Sequence, residues 1–219
     1  MRAENTDAEC GNKFDMLSGS FEPGNDLSGT CGNVAEYPDL QERIVRHCSP
    51  TLAGLKCGSM FRVDSDPHGL LSQIRSIERQ LMHRGVRIAA LSSDEDGCLI
   101  YVYRPSKLDE KLSDADVWDF LSGYGYTSGS AEEMVVQLTS RFYFCPMPPE
   151  VGVFLDYPLE DVVGYIQNSG RCSRCIGCWK VYGDVASAER RFNSYKKCRD
   201  VFHRRFTEGS GLVRLAIKA

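Results

Sequence analysis

Three cysteines, Cys172, Cys175 and Cys178, stand at three-residue intervals in the segment Arg171–Asp184. Close thiolates on a flexible loop can converge on one iron–sulfur cluster or metal ion. The run resembles the first three positions of a ferredoxin-type sequence, without its close fourth cysteine and without its proline. Cys198, on the helix that follows, or Cys145 would then complete the set, and zinc needs the same four-ligand closure. Cysteine also packs as a small hydrophobe. Cys198 lies between Tyr195 and Phe202 on the apolar side of its helix, which suits a core position. A C-x-x-C redox pair is a third reading. No helix starts at either pair, so the usual thiol activation by a helix N-terminus is missing.

His47-Cys48 is the second candidate, as the catalytic pair of a papain-like thiol hydrolase or transferase. Ser49 and Pro50 have the types of an N-cap and a first helical residue. They predict a helix starting there, with Cys48 just outside its N-terminus, where partial positive charge favours a thiolate. A nucleophilic cysteine at a helix start, paired with a histidine, is the logic of those enzymes. His47 is adjacent in sequence, and neighbouring side chains diverge; His203 is the other histidine considered. The alternative is a structural Cys-Ser-Pro helix start.

Charged groups form two further sets. Glu150, Asp156, Glu160 and Asp161 cluster around one strand and helix start, where carboxylates either stabilise a helix N-terminus or bind a hard cation. Arg190, Arg191, Lys196, Lys197, Arg199, Arg204 and Arg205 make the last helix basic on its solvent side. Such a face suits an acidic protein partner or simply a solvated surface. It lacks an aromatic stacking platform, and the net charge of −4 gives no overall signature of nucleic-acid binding.

The ten cysteines have to be read with their compartment. No apolar signal region opens the chain and no apolar run is long enough for a membrane span. The expectation is a cytoplasmic, cysteine-rich protein with reduced thiols.

The elements that must hold these groups are largely periodic. Residues 1–37 are polar and aperiodic, with charges that are mostly acidic, which predicts a disordered tail carrying Cys10 and Cys31. Residues 38–219 predict one α/β domain with a mixed sheet, a β-hairpin and flanking helices. Leu40, Ile44 and Val45 suit a short first helix, and Ser59–Val63 a strand. Asp66-Pro67 opens a helix whose stripe is Leu70, Ile74, Ile77 and Leu81, closed by Gly85. Residues 86–92 and 98–104 flank an acidic turn and predict the hairpin. Ser106, Ser113 and Ser130 have capping-box spacing to Asp109, Asp116 and Glu133. Val151–Leu155, Trp179–Tyr182 and Leu212–Ile217 read as short strands. Pro158 starts one helix, and Asp184 caps a long last one.

Several stretches together resemble a known family: residues 47–56 (HCSPTLAGLK), 102–105 (VYRP), 152–162 (GVFLDYPLEDV), 179–184 (WKVYGD) and 195–198 (YKKC). The family is domain-of-unknown-function family 3793, common in clostridia and their relatives. The resemblance covers about residues 41–206. It implies a cytoplasmic bacterial protein and brings no activity or cofactor with it. The family pattern before Gly152 reads Phe-Pro-His-Glu-Ile-Gly, whereas this chain has Pro149 at the histidine. The functional expectation is therefore cysteine-centred metal or iron–sulfur binding by Cys172, Cys175, Cys178 and Cys198, with a redox or metal-homeostasis role. Zinc or an iron–sulfur cluster is the expected cofactor. Thiol catalysis at Cys48 and a non-catalytic interaction domain are the alternatives.

Overall fold

The computed structural model describes residues 40–64, 67–95 and 97–218. The tail expected over residues 1–37, with Cys10 and Cys31, lies outside these residues, as do Asp66 and Asp96.

Gly97–Tyr103 (β3) reads GCLIYVY, and all seven of its residues are buried. A strand without a polar face has to be covered on both sides. Gly58–Val63 (β1) and Arg87–Asp94 (β2) pair with it antiparallel, giving the order β1-β3-β2. Gly58 faces Tyr103 and Val63 faces Cys98 in one ladder; Arg87 faces Tyr103 and Asp94 faces Gly97 in the other. The second ladder slips between Ala90 and Ser92.

Side chains alternate across a strand, and β3 divides its residues between two cores accordingly. Cys98, Ile100 and Val102 join the core built by Leu40–Leu52 (α1), Pro67–Leu81 (α2) and Leu212–Leu215 (α9). Leu99, Tyr101 and Tyr103 join the other core. That second core is closed by Pro105–Leu112 (α3), Ala115–Gly123 (α4), Ala131–Phe144 (α5), Val151–Phe154 (α6) and Leu159–Gln167 (α7). The two-residue strands Cys175–Ile176 (β4) and Lys180–Val181 (β5) form a second, small sheet beside it. Val185–Thr207 (α8) serves both cores, giving Ala188 and Tyr195 to one and Phe202 to the other.

The α/β class with its hairpin and flanking helices is as the sequence predicts, and the sheet is antiparallel throughout rather than mixed. The α2 stripe Leu70, Ile74, Ile77 and Leu81 is buried, Gly85 closes the following 3-10 turn in the left-handed region, Ser130 and Glu133 form a full capping box, and Asp184 caps α8.

Four local expectations are corrected. No helix starts at Ser49-Pro50: α1 runs from Leu40 through Pro50 to Leu52. Ser49 Oγ donates to the Val45 carbonyl instead of capping. Val151–Phe154 and Leu212–Leu215 are single helical turns, not strands. Ser106 and Ser113 do not cap; Arg104 and Asp114 stand at those N-cap positions. The strand expected over Trp179–Tyr182 shrinks to Lys180–Val181, because Tyr182 and Gly183 turn their amides onto the Asp161 carboxylate.

Candidate functional site

The four cysteines expected to share a metal do not gather into one ligand set among the described residues. Cys48 is fully buried inside α1, and burial pushes its thiol pKa far up. The helix-start activation argued for it is thereby replaced by the opposite effect. His203 is exposed on α8. Cys172 is exposed at a left-handed residue (φ 60°), while Cys175 and Cys178 pack against the core on one side of the sheet. Cys198 packs against the core on the other side, with its thiol pushed up to about 11 by burial. Among the described residues, no three His, Cys, Asp or Glu side chains gather as a metal-ligand set.

Asp161, Glu150 and Glu160 each accept hydrogen bonds within the fold. Asp161, 2% exposed, accepts from the amides of Tyr182 and Gly183 through Oδ1 and from the Trp179 indole through Oδ2. Glu150 Oε1 accepts from Arg141 Nε at 2.8 Å and from the Tyr126 hydroxyl at 3.3 Å. Asp156 adopts the left-handed conformation (φ 63°) just after α6. Its amide donates to the Val153 carbonyl and that of Tyr157 to the Gly152 carbonyl. This pair of bonds is the Schellman closure, which ends the helical turn VGVF of α6.

That turn aims Tyr157 at a residue the sequence did not single out as chemical. Lys56 sits in the short loop between α1 and β1. The loop is fixed on both sides: Leu55 N donates to the Pro50 carbonyl, the Cys57 carbonyl accepts from Arg104 N, and Cys57 Sγ donates to the Phe154 carbonyl. A side chain at Gly58 would collide with the Tyr101 ring, so the chain can pass there only as glycine. Lys56 Nζ lies 5.7 Å from the centroid of the Tyr157 ring and 5.7 Å from that of Tyr195. Each contact contributes on the order of 1 kcal/mol to holding a cation there. Among the described residues, no carboxylate comes within salt-bridge distance of Lys56 and no hydrogen bond holds its amine.

Lys56 forms part of the wall of a pocket of about 40 Å³, shared with His47, Ser59, Met60, Leu155, Tyr157 and Cys178. The space holds a water or the end of a small molecule. Burial lowers the lysine pKa, and Cys57, Asp156 and Cys178 offset this only in part. The His47 ring stacks on Phe61 at 5.2 Å. Its pKa is lowered to about 4, by burial first and then by Arg46, Arg43 and Arg199, so the imidazole is neutral at pH 7. The Cys178 thiol is pushed up by burial and stays protonated. The pocket thus pairs an amine of lowered pKa with a neutral imidazole on which three arginines act electrostatically. Groups so arranged can bind an anion, act as a base or attack a carbonyl.

Lys56, Tyr157 and Tyr195 were missed because no local pattern marks a desolvated lysine. One signal was present. Four of the stretches that carry the family resemblance supply His47, Lys56, Asp156, Tyr157 and Tyr195 or lie directly after Cys178. The fifth supplies Arg104, which ties the loop down.

A family model described as "Protein of unknown function (DUF3793)" matches residues 44–216. The chain belongs to the DUF3793 family. No curated protein and no solved structure matches it. The DUF3793 match begins inside α1 and ends inside the C-terminal segment after α9, so it takes in every element that lines the lysine pocket. Among the described residues, no helix is long and apolar enough to cross a membrane.

Proposed function

We propose that this DUF3793 protein works through the Lys56 pocket, as a binding site for a small anionic ligand with the lysine amine as its reactive or recognising group. One observation carries this reading. The Lys56 amine, faced by two tyrosine rings and salt-bridged to no carboxylate among the described residues, borders a pocket it shares with His47, on which Arg43, Arg46 and Arg199 act electrostatically. A desolvated cation whose neighbouring carboxylate, Asp156, acts on it only from beyond salt-bridge distance attracts a further anion from solution. A metal or iron–sulfur site at Cys172, Cys175, Cys178 and Cys198 has the cysteine spacing in its favour but no gathered ligand set. Thiol catalysis by Cys48 with His47 has a fully buried nucleophile against it. The lysine pocket stands ahead of both.

The test is a lysine Nζ titration by nitrogen-15 NMR, with the Lys56 signal assigned by its loss in Lys56→Met. Lys56 is expected to titrate below the other lysines and to shift on addition of acetate. A midpoint at the ordinary value of about 10.4, with no response to acetate, overturns the reading.

A further inference from the structure

We propose that the ligand of this pocket is a small 2-oxo carboxylate, held reversibly as an imine on Lys56. The inference rests on the anion-site reading above and adds the electrophile.

The pocket argues for a carbonyl by what it pairs. The Lys56 amine is enclosed by ring faces, so a neutral amine loses little hydration on forming. The pocket is small enough to admit a carbonyl end while the rest of the ligand remains at the rim. Arg43, Arg46 and Arg199 act electrostatically on His47, which lines the pocket, and Arg191 is fixed at the turn by donating to the Asp156 carbonyl at 3.2 Å. A carboxylate next to the carbonyl would meet that charge. Fork-shaped guanidinium groups suit a carboxylate better than a point cation does.

The bond changes balance without a further reagent. The neutral amine attacks the carbonyl carbon, and the C=O π electrons move to oxygen. A proton passes from nitrogen to that oxygen, giving a carbinolamine. Loss of water then leaves the C=N bond. His47, neutral and lining the same pocket, is placed to take the nitrogen proton and return it to the departing hydroxyl. Cys178 stays protonated, which keeps a competing thiolate away from the carbonyl.

The experiment incubates the full chain at pH 7 with pyruvate and cyanoborohydride, which reduces an imine to a stable secondary amine. Peptide mapping by mass spectrometry locates the adduct, and acetate serves as the carbonyl-free control. The expected result is an adduct on the Lys56 peptide at least about ten-fold above any other lysine, because burial lowers the pKa of this amine and leaves more of it neutral at pH 7. Because the comparison lies within the wild-type chain, it does not depend on whether a Lys56 variant folds. If acetate and pyruvate both shift the Lys56 nitrogen signal but no adduct forms above the other lysines, the imine is overturned and the anion site stands. If neither anion shifts the signal and no adduct forms, both proposals fall.

Discussion

His47 illustrates how one side chain is set by neighbours that are remote in sequence. It sits among cations on α1 and α8 and against Phe61 of β1. Its pKa of about 4 in the folded protein lies below the ordinary histidine value of about 6.5. Between these values the unfolded chain binds the proton and the folded one does not. Stability is therefore full above about pH 6.5 and declines as the pH falls toward 4. The urea midpoint should fall between pH 7 and pH 5, and His47→Gln should narrow that fall. An equal fall in the variant would mean that His47 is not held neutral. The same residue was visible in the sequence as a histidine beside Cys48. Its partner in the pocket turned out to be Lys56, nine residues on, across the end of a helix.

Elements were legible where their cause is local. The α2 stripe, the β2–β3 hairpin and the Ser130 capping box are each written within a few consecutive residues. Helix α6 was not, because VGVFL has the composition of a short strand. Its helical state comes from a left-handed residue at Asp156 and from Gly152, where a Cβ would sit 2.8 Å from Val162. Asp and Asn tolerate that backbone better than most residues, and β-branched ones tolerate it worst. Asp156→Gly should therefore leave the melting temperature unchanged or raise it slightly. Asp156→Val should cost about 2 kcal/mol, read as a drop in melting temperature. Similar losses in both variants would place the importance of Asp156 in its carboxylate rather than its backbone. Helix α1 departs from its sequence signature for a related reason. Ser49-Pro50 has the signature of a helix start, yet the helix arrives from upstream with Ile44, Val45 and Cys48 already seated in the core. Tertiary burial outweighs what a proline costs a helix interior.

At the scale of the whole molecule, a single strand is shared by two cores, and one side chain joins the segments around it. Arg104 follows β3 directly and is 2% exposed. Its guanidinium donates to the carbonyls of Thr51 and Leu52 at the end of α1, to Arg84, and to Ile217 beyond α9. Helix α1 has no basic residue in its last turn, so Arg104 supplies the charge its carbonyl end lacks. Arg104→Met should remove at least about 3 kcal/mol, since several buried carbonyls lose a charged donor at once. Chemical denaturation at pH 7 would read this. A loss below about 1 kcal/mol would mean that water replaces the guanidinium at little cost. The contact to Ile217 spans 113 residues of chain. On a ribosome, Arg104 emerges long before that acceptor exists. The hairpin and α1 can assemble early, but the junction that steadies the Lys56 loop stays wet until Ile217 arrives. The pocket is then among the last features a nascent chain completes, and a chain halted before that residue would carry every pocket residue without the fastening that holds them in place.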